Sequence, residues 1–320
     1  MDKINELGIK LQDFYAGDSI SKRLDKVVLP QKSATKWTCY SDYCFGDIHK
    51  PNDTISFVLM PYESEEDYLT IQDFIKRKQS KDLKEVNTVN SAFMTFVRDR
   101  GFIIFAYILD DFEKWLGDNE DTQRGNIKAC LQLYKKQFEI WRDTAQNEKV
   151  KSHFNSLSTQ IETICSKRLK KSELKTYIEM LLVAVIGSIS MSEVAKRLDN
   201  VDKLGWFSDR DDILDKGQGL ICNIFHTNLF NVMQQQDFEF VTYNNDSSIK
   251  PFFDHFNRIS DIVTGTLADY NVAANVVTKK KFGKVLRQLF ADNPCLFVNR
   301  LKFSKSIRLS DIVMSLKKIK

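Results

Sequence analysis

The sequence predicts a mixed α/β protein, a sheet covered by helices, and three observations carry that reading. Short runs rich in aromatic and β-branched residues recur between turn residues. Long stretches with helical apolar spacing separate them. The order is strand, strand, helix, strand, a long helical block, strand, helix, strand, helix, which suits a mixed sheet and not a helical bundle.

Residues 1–36 read as a helical N-terminal segment, with Ile4, Leu7, Leu11 and Phe14 on one face and a break at Pro30. Trp37–Phe45 forms the first strand, closed by Gly46-Asp47. The turn at Pro51-Asn52-Asp53 leads to a second strand, Thr54–Met60, stopped by Pro61. So short a connection predicts an antiparallel hairpin. A helix opens at Ser64, with acids in its first turn, and runs to about Lys78. Lys84–Val86 is a weak strand or turn, and a helix of about Ser91–Arg100 ends at Gly101. Gly101–Leu109 is nearly all apolar, a strand buried on both faces that ends on Asp110-Asp111. Residues 112–198 read as helix, with Leu131, Tyr134, Phe138 and Trp141 on one stripe. Then come a short strand at Leu204–Asp209, a helix at about Gly219–Gln234 and a strand at Asp237–Tyr243. Pro251 opens a helix that carries Asp254, His255, Asp261 and Asp269.

At 320 residues the chain has room for one large domain or two smaller ones. Its six cysteines contain no Cys-x-x-Cys pair and no zinc-finger spacing, which fits buried thiols in a reducing compartment. The longest apolar run, Met180–Ile186, is too short to span a membrane and reads as a buried helix. With no secretion-type N-terminus, the expected location is the cytoplasm. Charge is uneven: residues 279–320 hold twelve Lys/Arg against Asp292 and Asp311, on a chain whose net charge is only +4. A basic end on an acidic body suggests a nucleic-acid contact, and a set of solvated lysine faces is the plainer alternative.

Acids recur where strands end: Asp42, Asp110, Asp111, Asp209, Asp211, Asp212 and Asp246, with Asp261 on a later helix. Strand ends converge on a crevice where α/β folds place ligands. Carboxylates gathered there repel one another unless a divalent cation lies between them, and hard oxygen donors suit Mg²⁺ or Mn²⁺. Such ions can hold both the attacking and the leaving oxygen of a phosphodiester displacement. Asp is also a good cap and turn residue, and Asp211, Asp212 and Asp246 fit that role as well.

Four segments, in order, resemble the bacterial family called domain of unknown function 3800. They are Tyr40-Ser41-Asp42, the helix and strand of Ser91–Asp110, Phe207-Ser208-Asp209-Arg210, and Asn245-Asp246-Ser247 followed by Ile259-Ser260-Asp261-Ile262-Val263-Thr264-Gly265. The resemblance spans about residues 40–270. It implies a ribonuclease-H-like mixed sheet over 37–275, a large helical insertion at about 112–200, and a basic C-terminal extension at 276–320. It implies a metal-binding and catalytic trio of Asp42, Asp209 and Asp261, with Asp110 a fourth ligand. The implied activity is nuclease action on RNA or DNA. The family follows its strand aspartate with Glu-Ser-Gly, whereas this chain has Tyr43-Cys44-Phe45. That departure motivates the alternative of a catalytically decayed binding or scaffold protein. A role in bacterial defence has no direct support in the residues.

Lys279, Lys280, Lys281, Lys284 and Arg287 are the candidate phosphate contacts. Phe282, Phe290, Phe297 and Phe303 interleave the basic residues, either to stack bases or, more simply, as a small core. His255 is a candidate general base at the crevice, or simply a histidine of the helix. Gly265 reads as a point where its helix presses on the sheet, or merely ends. The helical block 112–200 is a candidate lid or oligomer interface. No phosphate-binding Gly-rich loop is present.

Overall fold

A computed structural model describes residues 3–208, 212–215, 219–234, 237–242, 253–304 and 306–315, without the side chains of Asp212 and Asp215. In chain order it has α1 (Lys3–Ala16), α2 (Asp18–Val28), β1 (Lys36–Cys44), β2 (Asp53–Tyr62), α3 (Glu65–Lys78), α4 (Ser91–Asp99) and β3 (Ile103–Asp110). There follow α5 (Glu120–Thr144), α6 (Glu148–Ser166), α7 (Lys171–Ala195), β4 (Lys203–Ser208), α8 (Asp212–Asp215), α9 (Leu220–Met233) and β5 (Glu239–Thr242). The last elements are α10 (Asp254–Asp269), α11 (Lys280–Val285), a π-helical turn at Leu286–Phe290, β6 (Leu296–Lys302) and β7 (Arg308–Asp311).

The seven strands form one mixed sheet in the order β5-β4-β1-β2-β3-β6-β7. β2 runs antiparallel to both β1 and β3, as the short turn between β1 and β2 requires. β4 is parallel to β1, β5 to β4, and β6 to β3, while β7 returns antiparallel to β6. β2 does not stop at Pro61, because Pro61 still pairs with Trp37. The β2–β3 register has already ended at Leu59 and Ile103, so Pro61 sits where β2 is an edge on that side. A strand tolerates a missing N–H there. The segment expected as a weak strand or turn at 84–86 is a 3₁₀ turn, Leu83–Glu85.

Alternating side chains along the strands feed two cores, one on each face. On one face Trp37, Cys39, Phe57, Phe105 and Phe297 pack with α1, α2, α5, α7 and α9. On the other Tyr40, Val58, Ile104, Phe207 and Val298 pack with α3, α4, α10 and α11. α7 is buried along nearly its whole length. Such a helix lacks a polar face because it has no side toward water. It is long and apolar enough to cross a membrane by composition, but its apolar window is completely covered by protein. At Gly187 a Cβ would stand 2.5 Å from the Phe57 ring and 2.6 Å from the Phe225 ring, so glycine permits the close approach of α7 to β2 and α9.

The basic segment expected to extend beyond the fold supplies part of it. β6 lies between β3 and β7 inside the sheet. Phe282, Phe290, Phe297 and Phe303 are all buried, which leaves none of the four to stack on bases. α1 also belongs to the core: Tyr15 and Tyr107 hydroxyls pair, Tyr107 meets Ser190 Oγ at 2.7 Å, and Asn299 of β6 donates to Tyr15 at 3.1 Å.

Candidate functional site

Asp42 lies near the end of β1, and strand alternation assigns its side. Ser41 Oγ accepts from Trp206 Nε1 at 3.0 Å on the α7 face, whereas Tyr40 stacks on Phe256 of α10. Asp42, like Tyr40, therefore faces α10, and it is half-buried. Small hydroxyls hold α10 against this part of the sheet. Thr264 Oγ1 donates to the Asp42 carbonyl at 3.0 Å and lies 2.7 Å from Ser56 Oγ. Ser56 Oγ donates to Ser260 O at 3.2 Å, and Thr54 Oγ1 to Thr264 O at 3.3 Å. These residues are buried, and their small size lets the helix backbone settle on β2. The alternation Thr54-x-Ser56 in an otherwise apolar strand is a sequence signal for this contact.

The other candidate carboxylates are placed differently. Asp42 pairs with Ser56, and Ser56 with Ala106, so Asp110 lies two strands across and four residues further along. At about 4.8 Å between strands and 3.4 Å per residue the two Cα atoms are roughly 16 Å apart. One cation cannot bridge that distance, and Asp110 instead pairs with Arg300 at 3.2 Å. The register thus sets Asp110 apart from Asp42. Asp261 accepts the Leu83 amide at 3.2 Å, in the turn after α3, and the Lys281 ammonium feels its charge. Thr264 of α10, one turn beyond Asp261, donates to the Asp42 backbone carbonyl. Gly265 does not press on the sheet either: a Cβ there would meet Leu83 Cδ2 at 2.6 Å. Asp209, Asp211 and Asp246 lie outside the described residues. Among the described residues no three His, Cys, Asp or Glu side chains gather as a cation site.

β1 and β4 nevertheless bring one pair of chain segments together. Ser41 pairs with Ser208 in parallel register, and Ser208 Oγ donates to Ser41 O at 3.0 Å. The next residues in sequence are Asp42 and Asp209. Near Asp42, burial first, then the charges of Asp47 and Asp42, push the Cys44 thiol up to about 11, so it does not offer a thiolate. His255 stands nine residues before Thr264 on α10, about 13.5 Å along the axis at 1.5 Å per residue, and beside Phe256, which stacks on Tyr40.

No pattern in the sequence marks the lock beside this edge. Lys50, from the β1–β2 turn, lies 2.7 Å from Asp269, whose side chain is fully buried at the end of α10. Thr278 adds its amide at 2.7 Å and its hydroxyl at 2.5 Å. Burial alone would raise the Asp269 carboxyl, but the hydrogen bonds from Lys50 and Thr278 outweigh it and hold the group below its usual value.

The candidate phosphate contacts divide. Lys279, Lys280 and Arg287 are exposed. Lys281 is buried, its ammonium donating to Leu83 O and, at 3.0 Å, to Val86 O. Burial first, then the Lys279 charge, lowers its pKa. Lys284 donates to Val89 O at 2.7 Å. These two lysines tie α11 to the loop before α4. Comparison with protein-family models, curated proteins and solved structures found no match.

Proposed function

We infer that the chain is a ribonuclease-H-like protein that hydrolyses phosphodiesters of RNA or DNA with a divalent cation at the end of β1. Strand order supports the fold: in β5-β4-β1-β2-β3 only β2 is reversed, the arrangement expected of a ribonuclease-H-like sheet. The observation that carries the chemistry is the Ser41–Ser208 pairing, with an aspartate next on each segment. Carboxylates that share a site stay ionised most readily around a hard cation, and Mg²⁺ or Mn²⁺ fits oxygen donors. This reading rests on Asp42 and Asp209 and gives Asp261 and Asp110 structural roles. The test is degradation of RNA and DNA with Mn²⁺ by the parent, Asp42→Asn and Asp209→Asn proteins. Loss in both variants at an unchanged melting temperature is expected, and parent-level degradation by both overturns it.

A second reading, a catalytically decayed binding protein of the same fold, is favoured by the partners of Asp110 and Asp261. Arg300 and the Leu83 amide occupy two of the four expected ligands. Under it Mn²⁺ leaves the melting temperature of the parent unchanged; under the first reading Mn²⁺ raises it.

A further inference from the structure

We propose that the groove between α11 and residues 78–92 binds the phosphodiester backbone of a nucleic acid. This rests on the nuclease reading and assigns a surface for its substrate. The groove encloses about 500 Å³, and its lining includes Lys78, Lys81, Lys284, Ser80, Thr88 and Ser91 but no carboxylate. Among the described residues the Lys78 and Lys81 ammoniums have no ion-pair partner, so their charge is available to a ligand. The acid nearest in sequence, Asp82, is held by Arg258 at 3.3 Å.

The walls are built, not draped. Gln79 is buried, its amide donates to Lys81 O at 2.8 Å, and its own carbonyl receives Arg258 at 2.6 Å. Lys281 and Lys284 fasten the opposite side of the loop from α11. A fixed loop loses little conformational freedom on binding, which favours affinity. The same loop is also fixed to α10, since its Leu83 amide donates to Asp261.

An extended polyanion suits this surface better than one phosphate group. Lys78 and Lys81 stand on one wall and Lys284 on the other, and exposed Lys279, Lys280 and Arg287 continue the positive charge along and beyond α11. Backbone phosphates are the repeating anion that such a row neutralises, with release of counterions.

The test is anisotropy of a labelled single-stranded oligonucleotide against a salt series, in EDTA so that no hydrolysis intervenes. Lys78→Ala/Lys81→Ala removes two exposed charges and is expected to keep the parent's melting temperature. Lys284→Ala is avoided because that residue also holds the loop. Losing two phosphate contacts should flatten the log–log salt slope by about 1.4 and weaken low-salt binding about tenfold or more. An unchanged slope and affinity overturns the proposal. Competition by inorganic tripolyphosphate at equal phosphate, or by poly-glutamate at equal charge, as effective as unlabelled oligonucleotide also overturns it. Binding in EDTA reads the groove alone, and Mn²⁺-dependent hydrolysis by the parent reads the nuclease function, so failure of the groove and failure of the nuclease reading are read separately.

Discussion

Thr264 Oγ1 donates to the Asp42 carbonyl at 3.0 Å, so the helix that carries Asp261 is fastened to the strand that carries Asp42 through a residue one turn further on. The same oxygen meets Ser56 Oγ, and both residues are buried. Thr264→Val keeps the shape and removes the hydroxyl. The Asp42 carbonyl then loses its α10 donor and Ser56 a partner. A loss of about 1–3 kcal/mol is expected, because a polar group left unpaired in a dry site costs its desolvation. Urea unfolding of the variant measures it, and a difference within the error of the parent would show that water replaces the contact.

Asp110 and Asp42 lie near the ends of β3 and β1, with β2 between the two strands, yet they should answer differently to the same change. Asp110→Asn breaks an ion pair with Arg300 that is open to solvent on both sides. Such pairs are worth about 0–1 kcal/mol, so stability should barely move and Mn²⁺-dependent hydrolysis should persist. Asp42→Asn should abolish hydrolysis. Equal loss of activity in the two variants would restore Asp110 to the site.

How much of this could be read from the chain depends on whether a residue's surroundings are local. β1 to β4 were legible because aromatic and β-branched runs between turn residues define strands without help from distant segments. β6 was not. Its polar pair, Asn299 and Arg300, and the charge around it pointed to the surface. Asn299 is in fact buried beside the Tyr15 hydroxyl, a partner 284 residues away. The candidate site is not local either. The Ser41–Ser208 pairing depends on β4 lying beside β1, a contact between distant segments that no local pattern encodes. The Leu83 amide on Asp261 and the lock of Lys50 on Asp269 depend on the docking of α10, which no local pattern encodes.

Two glycines illustrate that point and give a paired prediction. In a helix Ala is favoured over Gly by about 1 kcal/mol, so each replacement begins with a gain. At Gly187 the new methyl would press on the Phe57 and Phe225 rings, both in the core and held on two sides. Overpacking of that kind costs about 1–3 kcal/mol, and Gly187→Ala should be destabilised overall. At Gly265 the obstacle is the end of the Leu83 side chain, which can turn aside. Gly265→Ala should stay within about 1 kcal/mol of the parent by the helix gain alone. Chemical denaturation of both variants tests the contrast, and a larger loss at Gly265 would mean that Leu83 is clamped.

The buried Asp269 carboxylate sets an acid limit on the fold. Its pKa is held below the ordinary value by Lys50 and Thr278 against the opposing effect of burial. A depressed carboxyl contributes stability that is fully present above its unfolded pKa, near 3.8, and is lost as pH falls through the lower folded value. Acid unfolding of the parent should therefore steepen below about pH 4. Asp269→Asn removes this contribution and leaves the Lys50 ammonium without its carboxylate. A loss of about 3–5 kcal/mol at neutral pH is expected from breaking a buried pair on one side. The gap between parent and variant should narrow as the pH is lowered from 5 to 2, where the parent's own carboxyl becomes protonated. Melting temperatures over that range check it, and a constant gap would show that Asp269 acts through packing and neutral hydrogen bonds and not through its charge.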